Sequence, residues 1–157
     1  MKKMKKILAV LLLALSLNSF AQQKELVWHT DINKAINISS QTGKPLFLFF
    51  TGSDWCGWCK KLVSEVFNKA EFKNWATKNI VLVEIDFPRR TPISAELQKQ
   101  NSELQKTFGV RGYPTGWFVA PKQVDGKVEF NKLGSQGYVR GGPNAWINGA
   151  SQIVNKK

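Results

Sequence analysis

Cysteine and histidine are nearly missing from this chain. Its 157 residues include two of the former and one of the latter. A structural zinc site normally draws on four cysteine or histidine ligands. His29 is far in sequence from the pair Cys56 and Cys59, so the composition argues against a metal centre and leaves His29 as an ordinary surface or partly buried histidine. Acidic residues are also scarce, 11 against 23 basic ones, for a formal net charge of +12. The lysines are scattered rather than gathered into blocks. That pattern describes a solvated basic surface and argues against a nucleic-acid partner, while weak attraction to an anionic membrane or envelope surface remains compatible with it. Internal repeats and low-complexity tracts are absent, and so is an apolar run long enough to span a bilayer comfortably.

The apolar stretch that does occur comes first. Lys2, Lys3, Lys5 and Lys6 precede an apolar segment from Ile7 to Leu17, and Ser19 and Ala21 offer the small residues of a cleavage site. No cysteine follows to carry a lipid anchor. Residues 1–21 therefore read as a Sec-type signal peptide cut after Ala21. An uncleaved membrane anchor is the alternative. Export would deliver the protein, periplasmic or secreted, to an oxidising compartment, with no stable membrane insertion after cleavage. The remainder, residues 22–157, is one domain's worth of chain with a charge of +8 once the four leader lysines are gone. It is large enough to bury a core without covalent staples.

The rest of the sequence is organised around Phe49-Phe50-Thr51-Gly52-Ser53-Asp54-Trp55-Cys56-Gly57-Trp58-Cys59-Lys60. The apolar run Leu46 to Phe50 reads as a strand buried on both faces, as in a mostly parallel sheet. A polar turn follows, and a helix opens at or just after Cys56. Cysteines three residues apart on a first helical turn are neighbours, with Cβ atoms roughly 5–6 Å apart. Cys56 would meet the unpaired N–H groups and positive end of the helix, which can lower a cysteine pKa from about 8.5 to roughly 3.5–7.5. Cys59, one turn inside, is more shielded. This geometry makes Cys56 the attacking nucleophile and Cys59 the resolving thiol. A passive disulfide is the competing reading, although so short a loop gains less entropy than a long-range bridge.

At Trp55-Cys56-Gly57-Trp58-Cys59-Lys60 the chain resembles the active site of the thioredoxin superfamily. Phe108-Gly109-Val110-Arg111-Gly112-Tyr113-Pro114-Thr115 is similar to the loop carrying that family's cis-proline, and the resemblance covers roughly residues 25–154. The variant Gly-Ser-Asp-Trp-Cys-Gly-Trp-Cys-Lys looks closest to secreted bacterial disulfide oxidoreductases of the superfamily. The resemblance implies an exported thiol–disulfide oxidoreductase needing neither cofactor nor metal. Its partners would be cysteine-containing protein substrates and a redox partner protein. A disulfide isomerase or oxidase, or a non-catalytic binding module, are the alternatives. It further implies a cis bond before Pro114, with the backbone of Tyr113 open to an extended substrate, and substrate contacts at Trp55, Gly57, Trp58, Tyr113 and Pro114. Two departures stand out. The buried acid expected six residues before the first cysteine is Phe50, and its lysine partner is Leu82. Glu84, on the same strand face as Leu82, could substitute, but a solvated strand-end glutamate is the favoured reading.

The remaining elements follow in order. Glu25 to His29 is a short edge strand, and Asp31 caps a helix to about Gln41 that closes at Gly43. The active-site helix runs to about Phe67. Asn68 and Glu71 make a capping-box-like pair for the next helix, followed by a strand from Ile80 to Asp86. Pro92 starts a helix ending at Gly109. A strand, Thr115 to Ala120, a turn region, Pro121 to Gly126, and a strand, Lys127 to Leu133, precede a last helix opened by Gly141 to Asn144. The expected fold is α/β and thioredoxin-like: a central mixed sheet of four or five strands flanked by helices.

Overall fold

The computed structural model describes residues 25–155. The expected leader, residues 1–21, lies outside the described residues. The elements are β1 (Trp28–His29), α1 (Ile32–Thr42), β2 (Leu46–Thr51), α2 (Gly57–Leu62, continued by a π-helical turn, Val63–Phe67), α3 (Ala70–Asn79), β3 (Val81–Asp86), α4 (Ala95–Phe108), β4 (Thr115–Val124), β5 (Lys127–Gln136) and α5 (Gly142–Val154). The five strands form one sheet in the order β1-β3-β2-β4-β5. The pairs β1–β3 and β2–β3 are parallel; β2–β4 and β4–β5 are antiparallel.

All six residues of β2 are buried, as the unbroken apolar run requires of a central strand. Alternation along the strand divides them between two cores. Phe47 and Phe49 face α2, the π-turn, α3 and α5, packing with Cys59, Leu62, Phe67, Phe72 and Trp146. Leu46, Leu48 and Phe50 face α1 and α4, packing with Ile36, Leu104 and Phe108. Each fully buried side chain of this size contributes about 1.5–3 kcal/mol, and neither core alone would order both layers.

Asp31 caps α1 by accepting the N–H groups of Asn33 and Lys34, and Gly43 closes it at φ 69°, as the sequence predicts. Other expectations shift. Lys69, not Asn68, precedes α3, and no side chain caps it: the π-turn uses the Asn68 N–H to reach Val63 O at 2.9 Å. Pro92 lies in a loop, and α4 starts three residues later, where the Ser94 hydroxyl accepts the Leu97 N–H at 3.2 Å. Residues 121–124 extend β4 instead of forming a turn. Beyond Val119 this strand pairs with β5 alone, so Pro121 disturbs no second ladder. The turn is two residues, Asp125 at φ 49° and Gly126 at φ 75°, the positive-φ pair that suits a tight hairpin. β5 correspondingly reaches Gln136, and only Trp28 and His29 of the expected first strand pair with β3.

Candidate active site

β2 delivers the chain into a turn where the N–H groups of Trp55 and Cys56 both reach Gly52 O, at 3.2 and 2.8 Å. A Cβ at Gly52 would lie 2.4 Å from the Trp55 ring, so glycine is what allows the indole to fold back over the turn. Cys56 is the N-cap of α2, and its Sγ accepts the Cys59 N–H at 3.2 Å. The two cysteines form a disulfide with Cα atoms 5.3 Å apart. Cys56 is 6% exposed and Cys59 1%, the order expected of an outer and an inner sulfur.

The floor beneath Cys59 differs from the sequence reading. Phe50 points to the opposite face of the sheet, against Phe108 at a ring distance of 6.0 Å. Counting back from the cysteine crosses an irregular turn, and strict strand alternation places 47 and 49, not 50, on the cysteine side. Phe49 and Leu82 are the apolar residues there. Glu84 stands opposite Phe49 in the parallel ladder and, with Cys59, Lys60 and Val63, lines a small cleft. Burial, with the Asp86 carboxylate as the lesser cause, pushes the Glu84 carboxyl up. Glu84 is thus a half-buried acid beside the inner cysteine rather than a solvated strand-end residue.

Two aromatic walls flank the pair. On one side Trp55 meets the edge of Tyr113 at 5.8 Å, and its Nε1–H donates to Phe87 O at 2.8 Å. The Arg89 guanidinium lies 3.8 Å over its ring. Gln105 donates to the Tyr113 hydroxyl at 2.7 Å, and the Tyr113–Pro114 bond is cis. On the other side Trp58, 57% exposed, lies 5.3 Å from the ring of Tyr138. Lys61 sits over both rings. The Tyr138 hydroxyl donates to Glu65 Oε2 at 2.5 Å, and that bond is the main reason the phenol is held above its ordinary value. Trp55 and Tyr113 thus stand on one side of the pair and Trp58 on the other. Trp55 is enclosed by its own contacts, while Trp58 and Gly57, both exposed, stand at the surface between the cysteines.

Two site residues have little sequence signature. Tyr138 lies in the β5–α5 connection and reaches Trp58 only through the fold. That connection also passes the proline loop, where a Cβ on Gly137 would come 3.1 Å from Pro114 O. Asp54, within the quoted motif, clamps the loop after β3. Its carboxylate accepts the N–H groups of Arg89 (3.0 Å), Arg90 (2.6 Å) and Thr91 (3.0 Å). The Arg89 bond leads in holding this acid below its ordinary value. An aspartate two residues before a cysteine signals a turn; nothing local reveals its three partners.

A thioredoxin-like domain family model matches residues 32–139. The disulfide bond reductase DsbH of Chlamydia pneumoniae is 36% identical over 115 residues, covering 73% of this chain and 65% of that protein. The thioredoxin-related protein DsbJ of the same organism is 34% identical over 117 residues, covering 71% of this chain and 34% of its own length. The chain thus spans just under two-thirds of one curated relative and about one-third of the other. A solved structure described as a DsbH oxidoreductase superposes with a TM-score of 0.75 at 31% identity, over 85% of this chain and 87% of that one. With a family model covering most of its length and a bridged Cys-Gly-Trp-Cys pair at the start of a helix, the chain belongs to the thioredoxin-like family.

Proposed function

We propose that this protein is an exported thiol–disulfide oxidoreductase that reduces disulfides in cysteine-containing proteins. The observation that carries the reading is the N–H of Cys59 donating to Cys56 Sγ at the start of α2. A donor aimed at that sulfur favours its charged form, and the thiolate is the nucleophile in exchange. In the reduced protein, Cys56 thiolate attacks one sulfur of a substrate disulfide. The substrate S–S bond breaks, its other sulfur leaves as thiolate, and a mixed disulfide with Cys56 forms. Cys59, once deprotonated, attacks Cys56 Sγ and releases the second substrate sulfur. Two electrons have then passed to the substrate, and the Cys56–Cys59 disulfide is restored. A dithiol partner protein must return those electrons by the same steps in reverse.

The direction is supported by the reductase named among the relatives. Trp58 and Gly57 at the surface, and the backbone of Tyr113 and Pro114, supply the ground on which an extended cysteine peptide would lie. Trp55, between Arg89 and Tyr113, borders this ground. Export rests on the leader read from residues 1–21. Among the described residues no helix is long and apolar enough to cross a membrane.

Insulin reduction by dithiothreitol tests the activity: the protein accelerates precipitation of the insulin B chain. No acceleration would leave a thioredoxin-like binding module with a passive disulfide.

A further inference from the structure

The charges around the cysteines are of one sign in excess. Lys60, Arg89, Arg90 and Arg111 are all exposed. Among the described residues the one ion pair within 4 Å is Lys61–Glu65, on the Trp58 side. The acids nearest the Trp55 side are committed inward. Asp54 is taken up by three backbone N–H groups of the 89–91 loop, and Asp86 accepts from the N–H and hydroxyl of Ser53 at 2.8 and 2.5 Å. Asp54 holds the 89–91 loop by its backbone, and the loop presents two consecutive arginines on the Trp55 side of the site.

The placement is specific. The Arg89 guanidinium rests over Trp55, the residue preceding Cys56. The Lys60 ammonium donates to Asp54 O at 3.0 Å, holding a second cation over the same turn. Arg111 precedes Tyr113 by two residues in the proline loop. Behind the arginines opens a cleft of about 430 Å³ lined by the donors Arg89, Arg90, Thr91, Gln98 and Ser102, with Asp86 the one acid in its wall. An exposed guanidinium fits a carboxylate, which it can grip by two parallel hydrogen bonds, and Arg90 already acts on one acid, its charge helping to lower the Asp54 carboxyl.

We propose that this cationic rim selects disulfides whose cysteine is flanked by acidic residues, with the 89–90 arginine pair and its cleft receiving the acidic side chain. The proposal rests on the oxidoreductase reading and names the substrate class for it. Steering by fixed like charges acts mainly on the association rate and weakens as salt screens it. Its response to charge reversal at the arginines separates it from the intrinsic reactivity of each peptide's disulfide, which flanking charges also change.

The test uses three disulfide-linked peptides, identical except that the residues flanking the cysteine are glutamate, glutamine or lysine. The readout is kcat/KM for their dithiothreitol-coupled reduction at low salt and at high salt. At low salt the glutamate peptide exceeds the lysine peptide roughly tenfold, with glutamine between, and the ratio approaches one at high salt. The double variant R89E/R90E inverts the order. R90E alone, which leaves the Arg89–Trp55 contact in place, cuts the ratio about threefold; the Asp54 clamp uses backbone N–H groups and survives both changes. Equal rates for all three peptides, or a variant that slows all three by the same factor, would overturn the proposal and leave the oxidoreductase reading standing. Failure to reduce any peptide would overturn both.

Discussion

When Cys56 is joined to a substrate, Cys59 must lose its proton before it can attack, and it is 1% exposed in a cluster with Phe49 and Leu82. An apolar surrounding disfavours the charged thiolate. Where solvent alone takes the proton from a thiol that is mostly protonated at the working pH, the thiolate fraction grows almost tenfold per pH unit. Glu84, lining the cleft with Cys59, is the group placed to accept the proton. Stopped-flow decay of the mixed disulfide should therefore rise less than tenfold per unit between about pH 6 and 8, and Glu84→Gln should restore the steep slope. A steep profile in the parent, unchanged in the variant, would remove Glu84 from the mechanism. The same substitution has an opposite effect on stability. A carboxyl raised in the folded state favours folding most below the ordinary carboxylate range, and that contribution is lost as pH rises through the raised value. At about pH 7 the buried charge opposes folding, so Glu84→Gln should raise the urea midpoint there, and the difference should close toward about pH 4. The two cysteines are legible because their spacing is local, and strand parity sets Glu84 on the face of Leu82; its partial burial comes from packing across the sheet, so the favoured solvated reading does not hold. Phe50 was misplaced because parity was counted across a turn whose path depends on Gly52 yielding to the Trp55 ring.

Among the elements, the π-turn after α2 explains a core that a regular helix could not fill. Val66 lies four residues after Leu62 and shares its face in an α-helix, whereas Phe67, at five residues, would be swung aside. The wider turn buries Leu62, Val66 and Phe67 together, and Phe67 then meets Phe72 at 4.6 Å and Trp146 at 5.4 Å. It also takes the Asn68 N–H that a capping box would have needed, which is why that sequence signal failed. At α4, Pro92 and Ser94 are both acceptable starts, and the arrangement of the preceding loop decides between them. Trp146 of α5 ties these elements to the site: it is fully buried against Phe47, Phe67 and Phe72, and its Nε1–H donates to Gly137 O at 3.0 Å, one residue before Tyr138. Trp146→Ala should cost about 3–5 kcal/mol by urea unfolding. Trp146→Phe, which keeps most of the packing and loses the hydrogen bond, should cost markedly less while loosening the Tyr138 wall. Equal losses for the two would show that the hydrogen bond, not the packing, governs this corner.

For the whole molecule, the layered fold was legible because β2 is apolar without interruption and the outer strand β5 alternates. The meeting of Trp58 with Tyr138, and of Asp54 with the 89–91 loop, was not, since each depends on segments that only the closed sheet brings together. The leader is a separate matter of composition. Lys2 to Lys6, the apolar stretch and Ala21 predict a mature N-terminus at Gln22, which intact mass of the exported protein checks; a full-length species held in the membrane would contradict it. The asymmetry of the two cysteines is tested on a non-reducing gel after expression in the compartment where substrates are present. If Cys56 attacks and Cys59 resolves, Cys59→Ser accumulates mixed disulfides with cysteine-containing proteins and Cys56→Ser accumulates none. Equal trapping by both variants, or trapping by Cys56→Ser alone, would contradict the assignment of roles on which the proposed reaction stands.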